Sequence, residues 1–175
     1  MTKNLYLKLM IRKVIPLFDE QGFNISEIKK EIIVSVADTG RFAGVYYPLT
    51  YEQNKSGLHE IEVDENIDNG LEATGVLIHE MCHAIQYHIY GDDIRMHGKE
   101  FRKIALSVGL EGQMRSTTSS KELQSKIRRW EKEIGPYPHP IPILAKTLNL
   151  ILDLITYGGC FYLLVLATEY YALHK

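Results

Sequence analysis

Leu71-Glu72-Ala73-Thr74-Gly75-Val76-Leu77-Ile78-His79-Glu80-Met81-Cys82-His83-Ala84-Ile85-Gln86-Tyr87-His88-Ile89-Tyr90 is the stretch on which the reading of this chain turns. Ala73, Leu77, Ala84, Ile85 and Ile89 recur at helical spacing as candidate core positions, and Gly91-Asp92-Asp93 stops the pattern. His79 and His83 are four residues apart, so on a helix they sit one turn apart on one face. Two imidazoles so placed can bind one divalent ion, at about 2.0–2.1 Å per zinc–nitrogen bond. Glu80 is turned about 100° from His79 around the axis and flanks the ion without sharing its coordination position. A carboxylate there can take a proton from an attacking water and return it to a leaving amine. A metal at the site lowers the pKa of water to about 7. Two histidines and one glutamate are thus the minimum set for metal-assisted hydrolysis of an amide. The bland alternative is a surface helix with two solvated histidines. Leu77 and Ile78 before the motif, and Ala84 and Ile85 after it, argue for a packed helix instead.

Zinc wants a third protein ligand and an open fourth position. His88 lies five residues after His83, about 140° around the helix, and points elsewhere. His97 lies beyond the Gly91-Asp92-Asp93 turn and just before Gly98, where the chain can fold back to the metal. Glu100 is the fallback, since a carboxylate can replace the imidazole in another metallopeptidase geometry. Zinc is inferred from ligand type, and manganese or cobalt could occupy the same set.

Outward from this helix, residues 3–18 place Leu5, Leu7, Leu9, Met10, Val14 and Leu17 among basic residues in a helical pattern, with Pro16 and Gly22 marking its end. Ile32 to Val36 and Phe42 to Tyr47 read as strands, the second closed by Pro48. His59 to Val63 alternates, with Ile61 and Val63 on one face and Glu60 and Glu62 on the other, as expected of a half-buried strand at a sheet edge. Two further helices are expected, over 99–108 and from Ser119 or Ser120 to Ile134, ended by Gly109 and by Gly135-Pro136. A helix, a group of strands and then helices implies an α+β class.

A length of 175 residues suits one domain with a real core, and 45% apolar with 24% charged residues describes a globular chain rather than a disordered or fibrous one. A net charge of -2 provides no whole-protein field toward nucleic acid or an acidic surface. Two cysteines, Cys82 and Cys160, are too few for a disulfide framework or a Cys-based zinc ribbon. Cys82 reads as a small buried apolar residue. The first 19 residues do not read as a secretory signal, which makes the cytoplasm the expected compartment.

His79-Glu80-Met81-Cys82-His83-Ala84, followed by His97-Gly98-Lys99-Glu100-Phe101 and Gly109-Leu110, resembles the SprT-like (Spartan-related) metallopeptidase family. Gly44-Val45-Tyr46-Tyr47-Pro48, Glu60-Ile61, Met114 with Thr117-Thr118, and Gly135-Pro136-Tyr137-Pro138-His139 extend the likeness over residues 1–140. The H-E-x-x-H motif alone is shared by many zincins, and its coupling to H-G-x-x-F is more specific. The resemblance implies a zincin-like fold with a small antiparallel sheet packed on the motif helix. It further implies zinc held by His79, His83 and His97, and Glu80 as general base. Eukaryotic relatives degrade proteins crosslinked to DNA, and many carry a Cys-rich zinc ribbon. No cysteine lies between Cys82 and Cys160, so that ribbon is missing here and a DNA-associated protein partner is a weaker expectation.

The other residues read more plainly. His59, His88, His139 and His174 have no spacing partner and read as ordinary surface or core histidines. Lys121, Lys126, Arg128, Arg129 and Lys132 surround Trp130, but Glu122, Glu131 and Glu133 interrupt the run, as on a solvated helix face. Tyr46-Tyr47 reads as packing, with oxyanion stabilisation as the alternative for a tyrosine near the metal. Residues 141–175 form an apolar tail. Its 148–167 stretch is of marginal length for a membrane span and is interrupted by Asp153, leaving three readings: membrane association, packing on the domain, or a divergent terminus.

Two functions follow. The first is a zinc metalloendopeptidase acting on a protein or peptide, its extended substrate pairing with an edge strand near His59 to Val63. The second is a non-catalytic, zinc-stapled binding module, DNA- or membrane-associated.

Overall fold

The computed structural model describes residues 1–139, except Asn24, Ser26, Glu27, Tyr51, Gln53, Lys55 and Asp93. The apolar tail and its membrane reading lie outside the described residues. No described helix is long and apolar enough to cross a membrane.

The central helix, α2 (Gly70–Tyr90), starts where Asn69 caps it. The Glu72 amide donates to Asn69 Oδ1 at 2.8 Å, and Asn69 Nδ2 donates back to Glu72 Oε2 at 2.7 Å. The first bond satisfies one of the amides that the first turn leaves without a helical partner, and the second ties the two side chains together. The helix ends at Gly91, whose φ of 76° lies in the left-handed region and lets the chain turn away. Twelve of its residues are buried, including Leu77, Ile78, Met81 and Ile85, along with the polar Glu80, His83 and Gln86. Ile89, expected in the core, is 46% exposed, because the last turn runs out beyond the packed layers.

Around α2 stand α1 (Lys3–Asp19), α3 (Lys99–Ser107) and α4 (Lys121–Ile134). Tyr6, Leu7, Met10, Val14 and Phe18 of α1 and Leu123 and Ile127 of α4 join the same core. Leu5 is 47% exposed, on the outer side of α1. Pro16 lies inside α1 rather than at its end, and the helix continues to Asp19. Tyr6 Oη ties three helices together, 3.2 Å from Thr74 Oγ1 of α2 and donating to Glu131 Oε1 of α4 at 3.1 Å.

Strands β1 (Ile32–Ala37), β2 (Gly44–Tyr47) and β3 (His59–Asp64) form one sheet in the order β1-β3-β2. It packs on α1 through β1 and on α2 through β2 and β3. The fold is α+β, as the order of elements implied, but two expectations about the sheet are corrected. The sheet is mixed rather than antiparallel, since β3 runs antiparallel to β2 and parallel to β1. The chain reverses twice between β1 and β3, which sets them pointing the same way. β3 is also the central strand, not an edge. Its alternation is real, with Ile61 and Val63 fully buried, but alternation reports one covered face and not the number of flanking strands.

A second unit was not foreseen: the hairpin β4 (Leu110–Gln113) and β5 (Ser116–Ser119), lying beside α2. Its sequence is too polar to show a strand pattern, and Ser116 to Ser119 contains no apolar residue.

Candidate metal centre

The two histidines of α2 project together, as a four-residue spacing requires, and the loop after α2 returns His97 to them. His97 Nε2 lies 3.2 Å from His79 Nε2 and 3.0 Å from His83 Nε2. A single N–H can point along only one of these contacts, whereas a shared cation satisfies all three nitrogens. Three imidazoles on a tetrahedral ion with 2.0–2.1 Å bonds would hold their nitrogens about 3.3 Å apart, so the donor set fits a divalent metal. These three histidines are the group with metal-ligand spacing among the described residues. Burial pushes the His79 pKa down to about 4, assisted by His97, and that of His83 down to about 3, assisted by His79 and His97. His97 is lowered too, by burial first and then by Arg115. All three imidazoles are therefore neutral near pH 7, the form that binds a metal.

Several neighbours fix these rings. His79 Nδ1 and Thr117 Oγ1 of β5 are 2.9 Å apart. With Nε2 offered to an ion, Nδ1 carries the proton and donates to that hydroxyl. Phe101 of α3, fully buried, packs its ring 4.4–4.9 Å from all three imidazoles and forms the apolar backing of the cluster. His97 has a φ of 59°, a left-handed conformation that a non-glycine residue seldom adopts. The loop is held in that shape by Gln86 Nε2 and the Gly98 amide, which donate to the Arg95 carbonyl at 3.2 and 3.0 Å.

Glu80 is 7% exposed, and burial pushes its pKa up to about 8. β2 approaches it closely because position 44 is glycine. A Cβ on Gly44 would come within 3.1 Å of Glu80 Cγ and 2.4 Å of Val76 Cγ1. Farther along β2, Tyr46 Oη shares a 2.7 Å hydrogen bond with His59 Nδ1, and the rings stack 5.8 Å apart. His59 is thus a buried core histidine with a partner, and the Tyr46 hydroxyl is engaged by it.

A cavity of about 690 Å³ runs over this cluster, floored by one stripe of α2 and walled by β2 and β5. The two walls run in opposite senses. Along β2, Gly44 lies against Val76 and Glu80, and Tyr46 lies near Tyr87. Along β5, Ser119 approaches Gly75 and Thr117 meets His79.

The structure brings together His79, His83 and His97, with Glu80 next to His79 on α2 and lining the same cavity. It does not bring Glu100 in, and that carboxylate lies 3.5 Å from Lys99 Nζ. His88 and His139 are exposed, away from the cluster. Sequence reasoning missed the parts played by Thr117 and Gly44. Thr117 is 38 positions from its histidine and Gly44 acts through an absent side chain, so no spacing signals either.

An α+β chain with a three-histidine cluster of metal-ligand geometry is the class that fold and site define. Residues 12–124 match the SprT-like family, and the chain belongs to it. Comparison with curated proteins and with solved structures returns no match.

Proposed function

We propose that the protein is a zinc-dependent metalloendopeptidase with a zincin-like fold. The observation that carries the reading is the convergence of the His79, His83 and His97 Nε2 atoms on the floor of an open cleft that the Glu80 carboxylate also lines. His79, His83 and His97 would hold the ion, which when bound supplies Lewis acidity toward a scissile carbonyl and toward water. The positive charge of the ion would keep Glu80 ionised against the effect of its burial, so that it takes the proton of the attacking water and delivers it to the leaving amine nitrogen. Phe101 and the buried flank of α2 exclude bulk water from the back of the site.

The substrate segment is an extended polypeptide, and the strand it pairs with is β2, not β3. Ala43 accepts from the Asp64 amide, so by the alternation of antiparallel pairing Ala43, Val45 and Tyr47 face β3. The backbone groups of Gly44 and Tyr46 then face the side of β2 on which no described strand lies, suited to strand addition.

The test is zinc content by elemental analysis together with cleavage of an unfolded protein, for the parent and for Glu80→Gln. Expected are one zinc per chain in both and a loss of cleavage by about 10²–10⁴ in the variant. Equal cleavage by both would remove Glu80 from the mechanism. Zinc needed for folding, with no cleavage by the parent, would instead establish a zinc-stapled binding module.

A further inference from the structure

Beyond the metal centre, the cleft has unlike ends, and its acidic and basic lining residues, apart from the neutral histidines, are Glu72, Glu80 and Arg115. Arg115 lines the cleft two residues before Thr117, which meets His79, and so lies toward the His83 and His97 end. Toward the N-terminal end of α2, Glu72 lines the cleft together with Phe42, Leu71 and Val76, its side chain exposed to solvent. Phe42 is 53% exposed at this rim, with the Arg41 guanidinium 5.2 Å from its ring centre on the outer side. Asn69 occupies Glu72 Oε2, and no described residue bonds or ion-pairs the other oxygen. Gln124 represents α4 in the lining, while Lys121 and Arg128 of the same helix make no ion pair with Glu72 among the described residues.

We propose that this end of the cleft is a subsite for a lysine or arginine side chain of the polypeptide substrate. Apolar side chains beside an exposed carboxylate match an aliphatic stem that carries a cationic head. Arg115 opposes a cation at the other end, so the cleft has a charge direction. Glu72 lies seven residues before His79, about 10 Å along the helix axis. At about 3.3 Å per extended residue, the basic side chain belongs to the third or so residue from the scissile bond. The assignment rests on the peptidase reading for the identity of the ligand, and its test is therefore made by binding rather than turnover.

Zinc-loaded full-length Glu80→Gln protein is titrated with fluorescent unstructured peptides in which one Lys, or one Glu, is moved through every position. Fluorescence anisotropy should show the best Lys peptide binding about fivefold more tightly than its Glu counterpart, a preference that weakens with salt. Adding Glu72→Gln, which keeps an acceptor for Asn69, should abolish the preference, and adding Glu72→Lys should reverse it. A preference that is absent in the first protein, or unchanged by both substitutions, overturns the subsite. Failure of the parent to cleave unfolded protein would count against the peptidase reading and leave this binding result standing by itself.

Discussion

Gly44→Ala is the sharpest perturbation of the site that leaves every chemical group in place. The added methyl would sit 2.4 Å from Val76 Cγ1, 3.0 Å from the Glu62 carbonyl oxygen and 3.1 Å from Glu80 Cγ. Favourable carbon–carbon contact lies at about 3.5–4.0 Å, so Val76 must yield by more than 1 Å or β2 must lift from α2. Glu62 belongs to the paired central strand and cannot retreat without breaking the sheet. Overpacking of this kind costs about 1–3 kcal/mol. For a chain of this length, 2 kcal/mol lowers Tm by roughly 4–8 °C. Because Glu80 carries part of the displacement, cleavage should fall by about 10²-fold if its carboxylate moves by 1 Å, with zinc content unchanged. Differential scanning fluorimetry and proteolysis of an unfolded protein read the two effects. Val76→Ala removes the nearest contact, so the Gly44→Ala/Val76→Ala double variant should recover part of the stability, with non-additivity on the order of 1 kcal/mol. An unshifted Tm and undiminished cleavage in Gly44→Ala, or strict additivity in the double variant, would refute the claim that close approach of β2 sets the position of Glu80.

Thr117→Val should weaken zinc binding by about 10–100-fold, measured by competition with a chelator, while Thr117→Ser retains it, because the hydroxyl orients His79. The Asp64 pKa is held below its ordinary value by the Asn66 amide first and by Thr39 next. A carboxylate depressed in the folded state stabilises above its unfolded pKa of about 3.9, and that contribution is lost as pH falls through the folded value. Asp64→Asn should accordingly unfold at lower denaturant than the parent at pH 7. The gap should close as pH drops below about 4, and a constant gap across that range would remove the carboxylate charge as its cause.

What was legible in the sequence and what was not divide along a physical line. α2 was readable because apolar periodicity and ligand spacing are both local, and His79 and His83 needed only the helical pitch to meet. His97 was readable because a short turn after α2 leaves few places for the next histidine. Glu60 to Val63 showed which face of β3 is covered, yet the backbone hydrogen bonds that make it central leave no trace in side-chain type. The same blindness hid β5, where Ser116 to Ser119 are held by main-chain pairing with β4 and offer no apolar alternation. It also hid Gly44, whose contribution is the room its missing Cβ leaves for Val76 and Glu80. The cleft is therefore half legible: its floor is a helix stripe that carries the chemistry, and its walls are strands that take part through backbone and through space. Residues on those walls can change without disturbing the motif, so on the proposed peptidase reading the walls, rather than the three histidines and the glutamate, decide which polypeptides the cleft admits.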